Sequence, residues 1–317
     1  MQEDFAQRLL RTREKTRAYN ISMEKFGKSL EKELAKSNCR VKYGVPAFGS
    51  FGSGGEIAKV VSPKDGYALS KAVKILNGYE KVVLGGATNV LFPDGGYDGI
   101  AISTDGVKDI SRKGGRVYCG AGVRLPDLVN RCAKYGLSGL EQLSGIPGSA
   151  GGAVAMNAGA FGREMAELIT RVDAVTADGE VVAFSPQALE AGYRHTCIAE
   201  NGLTVLGAEL ALTPSSEREI RTCISEYRER REKSQPKGRS LGSVFKRVDG
   251  ISAGYYIDRA GLKGEKKGGA EISDKHANFI INGGGATGAD FLYLAELAKK
   301  RVYEIFGITL EYEVVFL

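Results

Sequence analysis

The chain has 317 residues, 43% apolar and 26% charged, with a formal charge of +6 and 43 glycines. Such totals describe a soluble globular protein with room for two domains; they exclude collagen-like and disordered classes, and no apolar run approaches the roughly 18 residues of a membrane span. Five scattered cysteines without Cys-x-x-Cys spacing, and only His195 and His276 as histidines, point to reduced thiols and leave little for a metal site.

Residues 1 to 37 carry nine Lys/Arg and six Asp/Glu with sparse apolar residues, which reads as an N-terminal extension of one or two surface helices. It lacks an apolar signal core, so a cytoplasmic protein is expected. From Val41 the texture changes. Phe48 to Gly55 is a glycine-rich loop leading into a strand at Ile57 to Val61. Asp65 can cap a helix running to about Gly78, with Leu69, Val73 and Leu76 at helical spacing. Lys81 to Leu84 reads as a buried strand, followed at once by Gly85-Gly-Ala-Thr-Asn89. Strands at Gly99 to Ser103 and Arg116 to Cys119 and a helix from Leu125 to Tyr135 continue an α/β alternation.

Gly145 to Gly162 is the stretch around which the rest is organised. Six glycines among small residues bury little side-chain area but offer bare backbone, close approach to a flat ligand and N–H donors. It reads as a ligand cradle rather than a plain surface loop. Beyond it, Ala177-Asp-Gly179 turns a hairpin between Arg171 to Thr176 and Glu180 to Ala183, and Leu203 to Leu212 is a strand. A charged helix from about Ser216 to Lys233 leads into a basic loop, with eight Lys/Arg against Glu229 and Glu232 between residues 228 and 247. That shift marks a domain boundary near residue 214. A helix from Ala289 to Phe306 and a strand from Ile308 to Phe316 end the chain.

Several motifs fail on inspection. Gly27-Lys-Ser29 lacks the upstream glycine of a phosphate loop, since Ser22 stands there. Gly283-Gly-Gly-Ala-Thr-Gly288 satisfies Gly-x-Gly-x-x-Gly, yet only one strand remains after it, too little for a doubly wound sheet. No Gly-x-Ser-x-Gly elbow surrounds Ser243. Three polar residues carry more weight. Arg194 offers a fork for a carboxylate or phosphate, and Ser243 lies among glycine and apolar residues in the basic segment. On the last strand, alternation puts Glu311 and Glu313 on one face, and periodicity does not choose between them. The basic balance suits a multiply anionic small molecule; no aromatic-interleaved basic stripe points to nucleic acid.

The ordered blocks Leu84-Gly-Gly-Ala-Thr-Asn89, Gly145-Ile-Pro-Gly-Ser-Ala-Gly-Gly152, Met156-Asn-Ala-Gly-Ala-Phe-Gly162, Tyr193-Arg194, Gly242-Ser-Val-Phe-Lys246, Gly261-Leu-Lys-Gly264, His276-Ala-Asn-Phe279 and Glu313-Val314 resemble the UDP-N-acetylenolpyruvoylglucosamine reductase family. The resemblance runs from about Val41 to Leu317. It implies an α+β or α/β fold: an FAD-binding domain of the vanillyl-alcohol-oxidase (PCMH) type with two subdomains over 38–213, then a smaller UDP-sugar domain over 214–317. The short connection from Arg194 to Leu203 resembles the shorter subtype, without the extra tyrosine loop.

By the same resemblance, the enzyme uses bound FAD and NADPH to reduce the enolpyruvyl ether of a UDP-sugar to UDP-N-acetylmuramate for peptidoglycan. Gly85, Gly86, Ala87, Thr88 and Asn89 would take the FAD pyrophosphate. Gly145, Ile146, Gly148, Ser149, Gly151, Gly152, Asn157, Gly159 and Ala160 would lie along its ring. Arg194 and Glu313 would meet the substrate carboxylate, Ser243 would deliver a proton, and Tyr193, Lys246, Lys263 and His276 would hold the UDP-sugar. No metal, nucleic acid, membrane or obligate protein partner is implied. The sequence departs from the family at Ala87, where glycine is usual, and at Arg247-Val248, where Asn-Pro is usual. Those changes leave room for a noncatalytic UDP-sugar binder; a PCMH-type oxidase on another substrate is a rival from the same fold, against which the retention of Arg194, Ser243 and Glu313 together argues.

Overall fold

The computed structural model describes residues 27–47 and 49–317. The expected helices of the N-terminal extension lie outside these residues up to position 26, as does Phe48 of the glycine-rich loop; helix Lys28–Lys36 is described, with Leu34 buried.

The first sheet takes the strand order Cys39–Pro46, Glu56–Pro63, Tyr97–Ser103, Lys81–Leu84. Its last three strands run parallel and the first antiparallel. Parallel strands need a crossover, which helix Gly66–Ile75 supplies, and Asp65 caps it by accepting from the Ala68 N–H at 2.7 Å. Leu69, Val73 and Leu76 are buried as their spacing requires, each contributing about 1.5–3 kcal/mol at most. Both faces of the sheet are covered. Val61, Ile100 and Ile102 face one core, and Val60, Leu84 and Ala101 another.

The second sheet is antiparallel throughout, ordered Val181–Phe184, Ile169–Val175, Thr204–Ala211, Arg116–Gly120, Ile110–Lys113. Its core includes Val117, Leu128, Val172 and Leu210, and also Ile220 and Ile224 of helix Glu217–Ser234. Helix Glu217–Ser234, which follows the boundary suggested near residue 214, therefore packs on the core of the second sheet. Composition changes at that helix because its outer face is solvated, but the core changes only after Ser234.

A third core gathers Val244, Phe245, Ile257, Phe291, Leu294 and Val314 beside an antiparallel sheet ordered Arg239–Ser240, Ile280–Asn282, Ala270–Ile272, Lys266–Lys267. Phe51 and Leu91 from the first hundred residues join this core. Asp94 binds it further by accepting from the Gly288 and Ala289 N–H groups, at 2.6 and 2.9 Å, at the start of helix Gly288–Phe306. The Gly283–Gly288 turn is structural. Asn282 Oδ1 accepts from the Gly284 and Ala286 N–H groups while its amide donates to the Phe51 carbonyl at 2.9 Å. The expected long terminal strand is mostly extended chain: Tyr312 bridges to Phe245, and Val315–Phe316 pairs in parallel with Val90–Leu91. Each end of that segment thus finds a different partner strand.

Candidate active site

Two glycine segments from different parts of the chain meet face to face. Gly85 and Gly86 end strand Lys81–Leu84, and they lie against Gly148 and Ser149. A Cβ on Gly86 would stand 2.7 Å from Gly148 Cα, and one on Gly85 would stand 2.2 Å from Ser149 Oγ. Thr88 Oγ1 donates to the Pro147 carbonyl at 3.3 Å across the same seam. The N–H groups of Gly85, Gly86, Ala87, Thr88 and Asn89 find no acceptor among the described residues. A run of successive unpaired main-chain N–H groups can take an anion. Ala87 holds a φ of +49°, the reason glycine suits the position.

The cradle itself is partly helical, which its glycine content hides. Ser149 caps helix Ala150–Ala155 through the Gly152 N–H. Three expected ligand residues spend polar groups on the protein itself. The Gly151 N–H goes to the Ala121 carbonyl, and a Cβ there would meet Ala121 Cβ at 2.7 Å, so Gly151 serves close packing. The Gly152 N–H belongs to the cap. Asn157 is 1% exposed and spends its amide on protein groups, donating to Glu164 Oε2 and the Gly192 carbonyl and accepting from the Ala166 N–H. Its main chain alone is left for a ligand. Gly145, Ile146, Gly159 and Ala160 remain half-buried.

Helix Glu217–Ser234 covers the outside of this cradle. The Arg231 side chain runs along Gly145, where a Cβ would lie 2.6 Å from its Cδ, and the Tyr227 ring sits 5.1 Å from Phe161. Burial lowers the Arg231 pKa, and no carboxylate among the described residues offsets the cost. In the sequence Arg231 belongs to a general basic run, and its position on the helix is the signal that separates it from its neighbours.

Arg194 and Glu313 meet directly. Arg194 Nε donates to Glu313 Oε1 at 2.5 Å, with the side chains 18% and 13% exposed, and Arg194 Nη2 donates to the Gly159 carbonyl at 3.3 Å. Burial raises the Glu313 carboxyl above the ordinary glutamate range, while the charges of Arg194, Lys246 and Arg247 pull the other way. The choice that periodicity left open is settled here. Glu313 turns inward, and Glu311 lies at the surface beside Lys246, with 3.5 Å between charges in a pair worth little.

Ser243 lies on the segment that runs antiparallel to Glu311–Glu313. The Phe245–Tyr312 bridge sets the register, and Val244 O accepts from the N–H groups of Glu313 and Val314 at 2.9 and 3.4 Å. Ser243, half-buried, is the next residue along. Asn278, 3% exposed, clamps this segment: Phe245 N–H donates to its Oδ1 at 3.0 Å, and its Nδ2 donates to the Phe245 carbonyl at 2.8 Å. Tyr193 Oη accepts from the Arg247 N–H at 3.4 Å, on the other side of the pair.

Lys263 and His276 form a separate group. Lys263 pairs with Asp258 at 2.6 Å, and burial, aided by the Lys263 charge, lowers the His276 pKa. His276 Nδ1 accepts from the Asn278 N–H at 3.3 Å, which assigns the proton of the neutral ring to Nε2. His276 is thus a neutral donor rather than a cation.

Comparison with known proteins gives the family. Residues 57–185 match the FAD binding domain model, and residues 234–317 match the model of the UDP-N-acetylenolpyruvoylglucosamine reductase C-terminal domain. A Lactobacillus helveticus UDP-N-acetylenolpyruvoylglucosamine reductase is 39% identical over 287 residues, covering 89% of this chain and 96% of that protein. The enzyme of that name from Carboxydothermus hydrogenoformans is 40% identical over 265 residues, covering 82% and 88%. The crystal structure of the Thermus caldophilus enzyme superposes with a TM-score of 0.74 at 34% identity, covering 88% of this chain and 98% of that one.

Proposed function

The chain belongs to the UDP-N-acetylenolpyruvoylglucosamine reductase family, and on that premise we propose which of its residues carry the reaction. The activity is the FAD-dependent, NADPH-driven reduction of UDP-N-acetylglucosamine enolpyruvate to UDP-N-acetylmuramate, a step of peptidoglycan precursor synthesis. The carrying observation is the part-buried Arg194–Glu313 pair, drawn from positions 119 residues apart and tied to the cradle through the Gly159 carbonyl.

The residues present fit FAD of the vanillyl-alcohol-oxidase type. The unpaired N–H groups of Gly85 to Asn89 suit a pyrophosphate, and the main chain of Gly145 to Gly148 and Gly159 to Ala160 suits a flat ring. Bound there, FAD supplies the two-electron carrier between NADPH and the enolpyruvyl double bond. Arg231, a cation without a carboxylate neighbour among the described residues, offsets negative charge on whatever occupies the trough.

When hydride reaches the methylene carbon of the substrate, negative charge develops on its carboxylate as an enolate. Arg194 offsets that charge, and Glu313, its pKa raised, donates a hydrogen bond to it. Ser243 delivers the proton to the adjacent carbon, with Lys246 and Arg247 keeping the local potential positive. Tyr193, Lys246, Lys263 and His276 hold the UDP-sugar, His276 through its Nε2 proton. The substrate domain on this reading begins after Ser234, where the core changes. Among the described residues no helix is long and apolar enough to cross a membrane, and a cytoplasmic site of action belongs to the same proposal.

Anaerobic stopped flow on the holoenzyme tests it. NADPH should bleach the flavin absorbance, and the enolpyruvyl sugar nucleotide should restore it. Rapid restoration by oxygen without the sugar nucleotide indicates an oxidase instead; binding of the nucleotide without turnover indicates a noncatalytic relative.

A further inference from the structure

Arg194 stands on a tight two-residue turn. Gly192 and His195 exchange N–H to carbonyl hydrogen bonds, both at 3.1 Å, and Tyr193 and Arg194 form the tip. Arg194 has a φ of +57°, a left-handed conformation that a residue with a Cβ keeps only when its surroundings impose it. The question is what imposes it.

Both feet of the turn are fastened to one short segment of the cradle. At the first foot, Asn157 Nδ2 donates to the Gly192 carbonyl at 2.9 Å. Asn157 is itself fixed, its amide shared with Glu164 Oε2 at 2.8 Å and its Oδ1 with the Ala166 N–H at 2.9 Å. At the second foot, Thr196, fully buried, donates from Oγ1 to the Ala155 carbonyl at 2.8 Å. The guanidinium makes a third link, to the Gly159 carbonyl.

We propose that Asn157 and Thr196 are positioning residues for Arg194: by pinning the two feet of its turn to residues 155–157, they set the guanidinium against Glu313. The inference rests on the reading of Arg194 as the group at the substrate carboxylate. Releasing either foot lets Arg194 leave its left-handed conformation, and the guanidinium then swings away from the carboxylate.

A purely structural Asn or Thr would also weaken the protein when replaced, so the test is a pair of double-mutant cycles on the holoenzyme. Asn157→Ala and Thr196→Val are each made alone and together with Arg194→Ala, and both flavin half-reactions are followed anaerobically. Flavin content is read from absorbance. Each single variant should retain its flavin, keep reduction by NADPH within about twofold, and slow reoxidation by the enolpyruvyl sugar nucleotide by roughly tenfold. In the Arg194→Ala background neither should cost anything further. Equal slowing in both backgrounds, or equal loss of both half-reactions, overturns the proposal. If Asn157→Ala fails to fold, Thr196→Val, which removes one hydroxyl, decides by the same cycle. An Arg194→Ala variant with full reoxidation overturns the underlying reading and this inference with it. A crippled Arg194→Ala beside unimpaired Asn157→Ala and Thr196→Val overturns this inference alone.

Discussion

The Asn89 side-chain amide donates to the main-chain carbonyl of Glu313 at 2.8 Å, and the Asn89 carbonyl accepts from the Val315 N–H at 3.0 Å. The segment proposed to take the pyrophosphate is thereby hydrogen-bonded to the main chain on both sides of the carboxylate proposed for catalysis. Replacing Asn89 by Ala removes a hydrogen bond worth about 1 kcal/mol. Thermal unfolding should fall by a few degrees, on the order of 2–4 °C for a chain this size. Reoxidation by the sugar nucleotide should slow more than reduction by NADPH; a variant slowed equally in both would show that Asn89 does not govern Glu313.

Ser243→Ala should leave flavin reduction intact and slow substrate turnover by roughly 10²-fold or more, the usual contribution of a positioned proton donor. Stopped flow separates the two steps. Equal loss in both would remove Ser243 from its assigned role.

The raised pKa of Glu313 fixes the sign of a pH effect. A carboxyl whose folded pKa exceeds its unfolded value stabilises the fold fully below the unfolded value, and that contribution fades as pH rises through the folded one. The unfolding temperature of the parent should therefore decline relative to Glu313→Gln across that window. Reoxidation in the parent should fall over the same rise in pH, because the donated hydrogen bond needs the protonated form. Flat profiles in parent and variant alike would place Glu313 outside the proton inventory.

Gly86→Ala puts a methyl 2.7 Å from Gly148 Cα, a contact with main chain that no rotamer relieves. The variant should purify with little flavin, as judged by its visible absorbance, and lose about 1–3 kcal/mol in denaturant unfolding. Retention of full flavin content would mean that the two loops separate freely.

Ala87→Gly is a case of near balance. Relief of the left-handed conformation gains about 1–2 kcal/mol. Loss of a buried methyl costs about 0.8 kcal/mol, and the added backbone freedom costs about 0.5–1 kcal/mol. Stability should change by less than about 1 kcal/mol, so the departure at Ala87 is one the fold tolerates. A larger change, measured by urea unfolding, would show that the conformation is more strained than its φ suggests.

The sequence by itself determined the local elements whose signals are local. Asp65 with Leu69, Val73 and Leu76 specified a capped amphipathic helix, the Ala177-Asp-Gly179 turn specified a hairpin, and the motif blocks specified a family whose parts lie in this order. It could not reveal that the cradle contains a helix, because Ala150–Ala155 is held by the Ser149 cap and by packing on Ala121 rather than by propensity. It could not show which core helix Glu217–Ser234 joins, because the surface composition of that helix says nothing of where Ile220 and Ile224 point. It could not show what the Asn157 amide meets, since an asparagine among glycines looks the same whether its amide faces a cofactor or a carbonyl 35 residues away. Only tertiary structure chose Glu313 over Glu311: a period of two gives both residues one face, and what buries one of them is Arg194, brought in from the far side of the cradle.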